Sequence, residues 1–372
     1  MEKAKLSARI DAFDGLRAMA IVAVLIAHVD ATKLPGGQLG VDLFFALSGY
    51  LITSLLLKEH DRFGGVSLKD FYIRRFLRLA PALLVFATVV TGLALARHDQ
   101  HVWGEFFATV TYTMNVAMAF EWFGRGTNMG HTWSLAVEEQ FYLLWPLVLV
   151  FLLARARERL LGVTLTLVVM GLLSTYALQL KGVDTWMIYS LPTTRVAPLL
   201  VGAAGAIAYW RGLPAWLARL VASPWVAVTA LAAMCAWLLH DTWRDPWTWR
   251  GGVAGFAALT TLLIFHFSEA PQSFVSRLFS LPPAVWLGRR SYAFYLWHGP
   301  VLWMLAWPIT QSQWGQLTIT FLVTAIVAEM SWRLVEAPAL KLKTRFERVP
   351  PLKAEPLETA PAGLGRPAPE VG

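Results

Sequence analysis

The sequence predicts an all-α, polytopic membrane protein: a bundle of about ten transmembrane helices with both termini in the cytoplasm. Three observations predict it. Of the 372 residues, 56 % are hydrophobic and 15 % charged, whereas soluble domains carry roughly a quarter charged residues. Apolar runs of bilayer-spanning length, ~20 residues each, recur along the whole chain. The basic residues between those runs alternate in density, as the positive-inside rule requires.

The first apolar run covers 12–30. Lys3, Lys5 and Arg9 precede it and hold the N-terminus inside. It has no small-residue cleavage site and leads directly into a second run, 39–57, so no cleavable signal peptide is expected. Six basic residues lie between 58 and 78, before the third span at 79–97, whose entry Pro81 shapes. An outer loop, 98–131, is the longest and carries Trp103, Phe106, Phe107, Phe120 and Trp122, which suit a segment folded back onto the bundle. Seven further spans follow at 132–154, 160–180, 190–210, 221–240, 249–268, 285–306 and 315–337. With the N-terminus inside, inner segments hold 23 Lys and Arg, outer loops hold 6, and 3 (Arg17, Arg195, Arg333) lie within spans. That asymmetry supports cytoplasmic termini and an even number of spans; the expected location is the cell inner (plasma) membrane. Residues 1–340 form the membrane domain. Residues 341–372 are expected to be a cytoplasmic disordered tail, because the last stretch is dense in Pro, Gly and Ala.

The net charge of +8 does not point to nucleic acid, since basic loops explain it. The eighteen tryptophans fit membrane interfaces. The single cysteine, Cys235, excludes an intrachain disulfide and a cysteine-rich metal site. No H-E-x-x-H spacing occurs, and no metal is expected. No internal repeat is legible, and no signal specifies an oligomeric state.

Ionisable residues inside a span mark function by default, and here they gather at particular depths. Arg17 and His28 are eleven residues apart in "DGLRAMAIVAVLIAH" (14–28). Eleven steps nearly close three helical turns, so both share one face, roughly 16 Å apart along the axis. Asp14, three residues before Arg17, can pair with it. Asp42 belongs near the outer end of span two. Glu138 and Glu139 fall two turns into span four, Arg195 in the outer part of span six, and Ser291, Tyr295 and His298 on one face of span nine. His28, Asp42, Glu138, Glu139, Arg195 and His298 thus lie at middle to outer depth and imply a polar cavity. A histidine beside a carboxylate suits general-base chemistry near neutral pH. There is no G-x-S-x-G elbow and no cysteine near these motifs.

A second cluster is cytoplasmic. In "KDFYIRRFLRLAP" (69–81), Arg74 and Arg78 share a helical face and Arg75 is adjacent. Three arginines in five residues suit a phosphorylated ligand, because guanidinium binds phosphate through paired, charge-assisted hydrogen bonds. They equally suit an ordinary basic flank, and spacing alone does not choose. Glu329, Arg333 and Glu336, spaced four and three apart, read as an intrahelical ion-pair ladder.

Six segments together resemble the membrane-bound acyltransferase 3 family, O-acyltransferases of bacterial surface glycans and some natural products. They are "DGLRAMAIVAVLIAH" with its R-x10-H spacing, "GVDLFFALSGYLIT", "FYIRRFLRLAP", "HTWSLAVEEQFYLLWP", "SYAFYLWH" and "VEAP", in this order across the membrane part. The resemblance implies transfer of an acyl group, acetyl or another short one, from an acyl-CoA co-substrate to a hydroxyl of a glycan or small molecule such as a macrolide. It implies that His28 is catalytic, that Arg17 is essential, and that Arg74, Arg75 and Arg78 meet the coenzyme's phosphates. On that footing His28 is the expected general base with Glu138 orienting it, against the competing route of an acyl-histidine intermediate. Asp42, His131, Trp133, Ser134, Tyr292, Tyr295 and His298 are the expected acceptor-side residues. The esterase-like domain that some members carry after the last span is not legible here. A transporter or flippase would also place charges in a wet bundle, but it calls for inverted repeats or paired broken helices, and neither is legible.

Overall fold

The computed structural model describes residues 10–124, 126–240, 245–343 and 346. Lys3, Lys5, Arg9, Arg125, Arg244 and most of the expected tail lie outside the described residues. The described chain is helical throughout, with no strand. Its helices are α1 (Asp11–Val29), α2 (Leu39–Phe63), α3 (Leu68–Ala96), α4 (Val102–Val110), α5 (Met114–Ala119) and α6 (Trp133–Arg155). There follow α7 (Leu160–Leu180), α8 (Thr185–Ser190), α9 (Pro192–Arg211), α10 (Ala215–Ala222), α11 (Pro224–His240) and α12 (Val253–Glu269). The last are α13 (Phe274–Phe279), α14 (Pro282–Arg289), α15 (Ser291–Pro300), α16 (Trp307–Ile309), α17 (Gln313–Ser331) and α18 (Ala337–Lys343).

Each of the ten expected spans falls on a helix or a series of helices, but fewer qualify as bilayer-crossing. Seven helices are long and apolar enough among the described residues, or eight if the pair α9 and α10, bent by 118°, counts as one broken span. Two of the expected spans account for much of the difference. α11 is apolar but has only 17 residues. The ninth span is not one helix: it is α14, then α15, then a π-helical stretch Val301–Ala306, then α16. Pro308 follows that stretch, and Pro338 follows a second one at Trp332–Glu336. A proline ring clashes with the carbonyl four residues back and donates nothing, which widens the turn before it. The helix after the second stretch continues to Lys343, beyond the expected domain boundary at 340.

Local chemistry sets the ends. Ser67 Oγ accepts from the Asp70 amide to start α3, and Gly64, at φ 71°, closes α2 in the left-handed region. Small residues let backbones meet where spans cross, as membrane bundles require. Gly49 of α2 lies against the Leu199 carbonyl of α9, and Gly202 of α9 against that of Ala46. A Cβ at either would stand 1.9 Å from the facing oxygen. Gly288 of α14 meets the Asp14 carbonyl of α1 in the same way. These crossings pin α1, α2, α9 and α14 together and so fix the walls of the site. The outward faces of α3, α6 and α7 remain apolar, with Leu93, Leu143, Phe151 and Leu173 exposed.

Candidate active site

A cavity of about 640 Å³ opens within the bundle. Ile10 and Leu340 both line it, so the two ends of the described membrane bundle lie on one side. Its basic lining comes from Arg17, Lys58, Arg75, Arg78 and Arg289, and its acidic lining from Asp14, Glu138 and Glu336. Serines and tyrosines, among them Ser48, Ser134, Tyr142, Tyr292 and Tyr295, supply neutral hydroxyls. Cations outnumber anions, so the cavity suits an anionic ligand.

The arginines of the third motif have three different fates. Arg74 turns away from the cavity, pairs with Glu59 at 2.9 Å and donates to the Phe346 carbonyl at 2.7 Å. Both side chains of the pair are buried. Arg75 lines the cavity, but its guanidinium lies 3.5 Å from the Tyr142 ring centre and its Nε donates to Glu139 at 3.2 Å. Arg78 also lines the cavity, is exposed to it, and makes no hydrogen bond or ion pair among the described residues. One of the three is therefore bound structurally, one holds neighbouring side chains, and one presents its cation to the cavity. Arg17 donates to Asp14 Oδ1 at 2.8 Å, and Arg289 approaches the other Asp14 oxygen at 3.6 Å.

Three imidazoles meet at the far end of α1. The His28 ring lies 4.9 Å from that of His298, edge to face, and His298 lies 5.2 Å from His131. His28 Nδ1 faces the Val24 carbonyl at 2.8 Å, His298 Nδ1 the Tyr295 carbonyl at 2.7 Å, and His131 Nε2 the Leu296 carbonyl at 2.9 Å. His131 and His298 are buried, while His28 is half-buried and absent from the cavity lining. Between the cavity and this layer stands a short wall. The Tyr295 hydroxyl donates to the His131 carbonyl at 2.7 Å, so Ser134, 2.5 Å away, donates to Tyr295. Both hydroxyls line the cavity, and the Tyr295 ring touches both buried histidines.

The expected acceptor-side residues separate into groups. Ser134, Tyr292 and Tyr295 line the cavity, and Tyr292 donates to the Leu79 carbonyl at 2.9 Å. His131 and His298 form the histidine layer. Asp42 and Trp133 belong elsewhere: Asp42 forms an ion pair with Arg195 at 2.9 Å, both 1 % exposed. The Arg195 guanidinium sits 5.2–5.7 Å from the ring centres of Phe45, Trp133, Tyr189 and Trp249. That is a desolvated cation in an aromatic cage. Glu138 does not meet His28 either. It lines the cavity and accepts a very short hydrogen bond from Tyr142, its neighbour one turn on. His28 is oriented instead by a main-chain carbonyl. The Glu329 pair with Arg333 forms as expected, at 2.6 Å, but Glu336 leaves the ladder for the cavity, next to Ser331 at 3.3 Å. Among the described residues, no three or more His, Cys, Asp or Glu side chains are arranged so that they could hold a metal ion.

The described chain is thus an all-helical polytopic membrane bundle in which the Tyr295 and Ser134 wall stands between a cation-lined cavity and a histidine layer. The acyltransferase-domain family matches residues 10–330. The chain belongs to that family. It is 33 % identical to the putative peptidoglycan O-acetyltransferase YrhL of Bacillus subtilis over 88 % of this chain and 54 % of that protein. It is 35 % identical to the peptidoglycan O-acetyltransferase OatA of Listeria monocytogenes (89 % and 56 %), and 33 % identical to the O-acetyltransferase OatA of Staphylococcus aureus (88 % and 57 %). The chain thus spans a little over half the length of these curated relatives. No solved structure matches it.

Proposed function

We propose that the chain is a membrane O-acyltransferase that moves an acetyl or other short acyl group from an acyl-CoA thioester to a hydroxyl of a glycan or small-molecule acceptor. One observation carries this reading: a cavity lined by five cations ends at a two-hydroxyl wall that touches the histidine layer. The relatives named as O-acetyltransferases support the transferred group and, through peptidoglycan, a glycan acceptor. Arg78, with Arg17 and Lys58, would meet the coenzyme's phosphates, and the pantetheine arm would run along the cavity towards Tyr295 and Ser134. Opening of that wall would bring the thioester to His28.

The Val24 carbonyl only accepts, so His28 Nδ1 carries the proton and Nε2 is the free base. His28 Nε2 would take the proton of the acceptor hydroxyl as its oxygen attacks the thioester carbonyl. The carbon–sulfur bond then breaks, and the proton passes from His28 to the departing thiolate. General-base assistance contributes about 10²–10⁴-fold. The test is coenzyme A release from acyl thioesters with candidate acceptors, by purified wild type and His28→Ala. Acceptor-dependent release should fall at least about 100-fold in the variant, with thioester binding retained. Equal release from both proteins would overturn the reading, and a stable acyl-enzyme would replace direct transfer with a covalent route.

A further inference from the structure

The bundle contains a control for its own histidine layer. Buried His266 has both ring nitrogens partnered, Nδ1 with the Val221 carbonyl and Nε2 with Ser273 Oγ, each at 2.7 Å. Such an imidazole is a completed structural group. His298 and His131 are as deeply buried, yet each has one nitrogen partnered only by a main-chain carbonyl and one with no partner among the described residues. The carbonyl must face an N–H. The opposite atoms, His298 Nε2 and His131 Nδ1, are then bare acceptors in the neutral rings. A buried acceptor that lacks a donor is costly, and native interiors rarely keep one without a reason.

The two bare atoms differ in what they face. A Cβ built on Gly299 would stand 2.9 Å from His131 Nδ1, so that nitrogen abuts the backbone of α15. His298 has its Nδ1 turned back onto its own helix at Tyr295, so Nε2 lies across the ring from that carbonyl, and the ring packs edge to face against that of His28 at 4.9 Å. We propose that His298 is the specificity-determining residue of the acceptor site: its Nε2 accepts from a second neutral donor, a hydroxyl or amide N–H, beside the hydroxyl that reacts at His28. The proposal rests on the reading of His28 as the base. His298 takes no proton in the reaction. The proton leaves the reacting hydroxyl for His28 and ends on the thiolate. A bare nitrogen rewards an O–H or N–H and repels carboxylate or phosphate oxygen, so the selected acceptor is a neutral polyhydroxyl or amido sugar at its reacting edge.

The test is equilibrium binding, which needs no turnover. Methyl β-glucopyranoside and its mono-O-methyl ethers, each lacking one donor, are titrated by tryptophan fluorescence into the full-length, detergent-solubilised wild type, His298→Phe and His298→Gln. At least one ether should bind the wild type roughly tenfold more weakly than the parent glycoside, the worth of one good hydrogen bond. His298→Phe should bind that ether and the parent alike. His298→Gln, which restores an acceptor, should recover the discrimination. An unchanged ratio in all three proteins, or no glycoside binding by the wild type, overturns the proposal. If the ratios behave as expected while His28→Ala still releases coenzyme A, the base assignment fails and the His298 assignment stands.

Discussion

At the scale of single residues, neighbouring arginines of one motif do different work, and that separates their variants. Arg78→Ala removes a cation that faces only the cavity. Coenzyme A binding should weaken about 10–100-fold, the worth of charge-assisted hydrogen bonds, with the melting temperature nearly unchanged. Arg74→Ala leaves buried Glu59 without its cation, which costs about 3–5 kcal/mol. The melting temperature should fall sharply while the surviving folded protein binds coenzyme A normally. Equal effects of the two substitutions on binding would show that the motif acts as one phosphate clamp. This difference was not legible in the sequence, because what removes Arg74 from the cavity is Glu59, on another helix. The pairing of Arg17 with Asp14 and the shared face of Arg17 and His28 were legible, since helical periodicity alone fixes them. The partner of His28 was not. Sequence reasoning favours a carboxylate, and folding supplies the Val24 carbonyl and the His298 ring instead. Asp42 and Arg195 read as site residues because intramembrane charges usually are; in the fold they form an ion pair with one another inside an aromatic cage, away from the cavity lining.

At the scale of elements, a carboxylate of α4 ties down the segment before α6. Glu105 of α4 accepts from the amides of Asn128 and Met129, at 2.8 and 3.1 Å, and these lead directly into Gly130 and His131. Burial pushes the Glu105 carboxyl up to about 7 from its ordinary 4.5, against the pull of those two amides and with Asp99 nearby adding to the rise. A raised carboxyl makes the native state hold more protons than the unfolded one. Its contribution is complete below about 4.5 and is lost as pH rises towards about 7. Glu105→Gln should flatten the fall of thermal stability across that window, and a slope equal to wild type would assign it to other groups. The aromatic outer loop that contains α4 was legible as a folded-back segment. This latch was not, because its acceptor and donors are more than twenty residues apart. Nor were the π-helical stretches before Pro308 and Pro338, which turn Glu336 into the cavity and break the ninth span. Hydropathy averages over a window and is blind to a one-residue change of helical register.

At the scale of the whole molecule, class and helical order were legible because a bilayer leaves few alternatives to helices. Ile10 and Leu340 line the same cavity, so tags on the two termini should share one side, and the positive-inside rule predicts that this side is the cytoplasm. In intact cells both tags should resist external protease, and both should yield after lysis. A tag cleaved in intact cells would reverse the orientation. The wall formed by Tyr295 and Ser134 also has an electrical consequence. A conducting vestibule that reaches from one face to that wall drops almost no voltage. The membrane potential would then fall across the protein beyond it, on the side of the histidine layer. A proton gained there moves through part of that field, and a full elementary charge is worth about 2.3 kcal/mol per 100 mV. Acyl transfer in proteoliposomes should accordingly change rate with an imposed potential, and a rate indifferent to voltage would put His28 outside the drop. The wall that keeps donor and base apart would thereby couple the chemistry to the energy of the membrane itself.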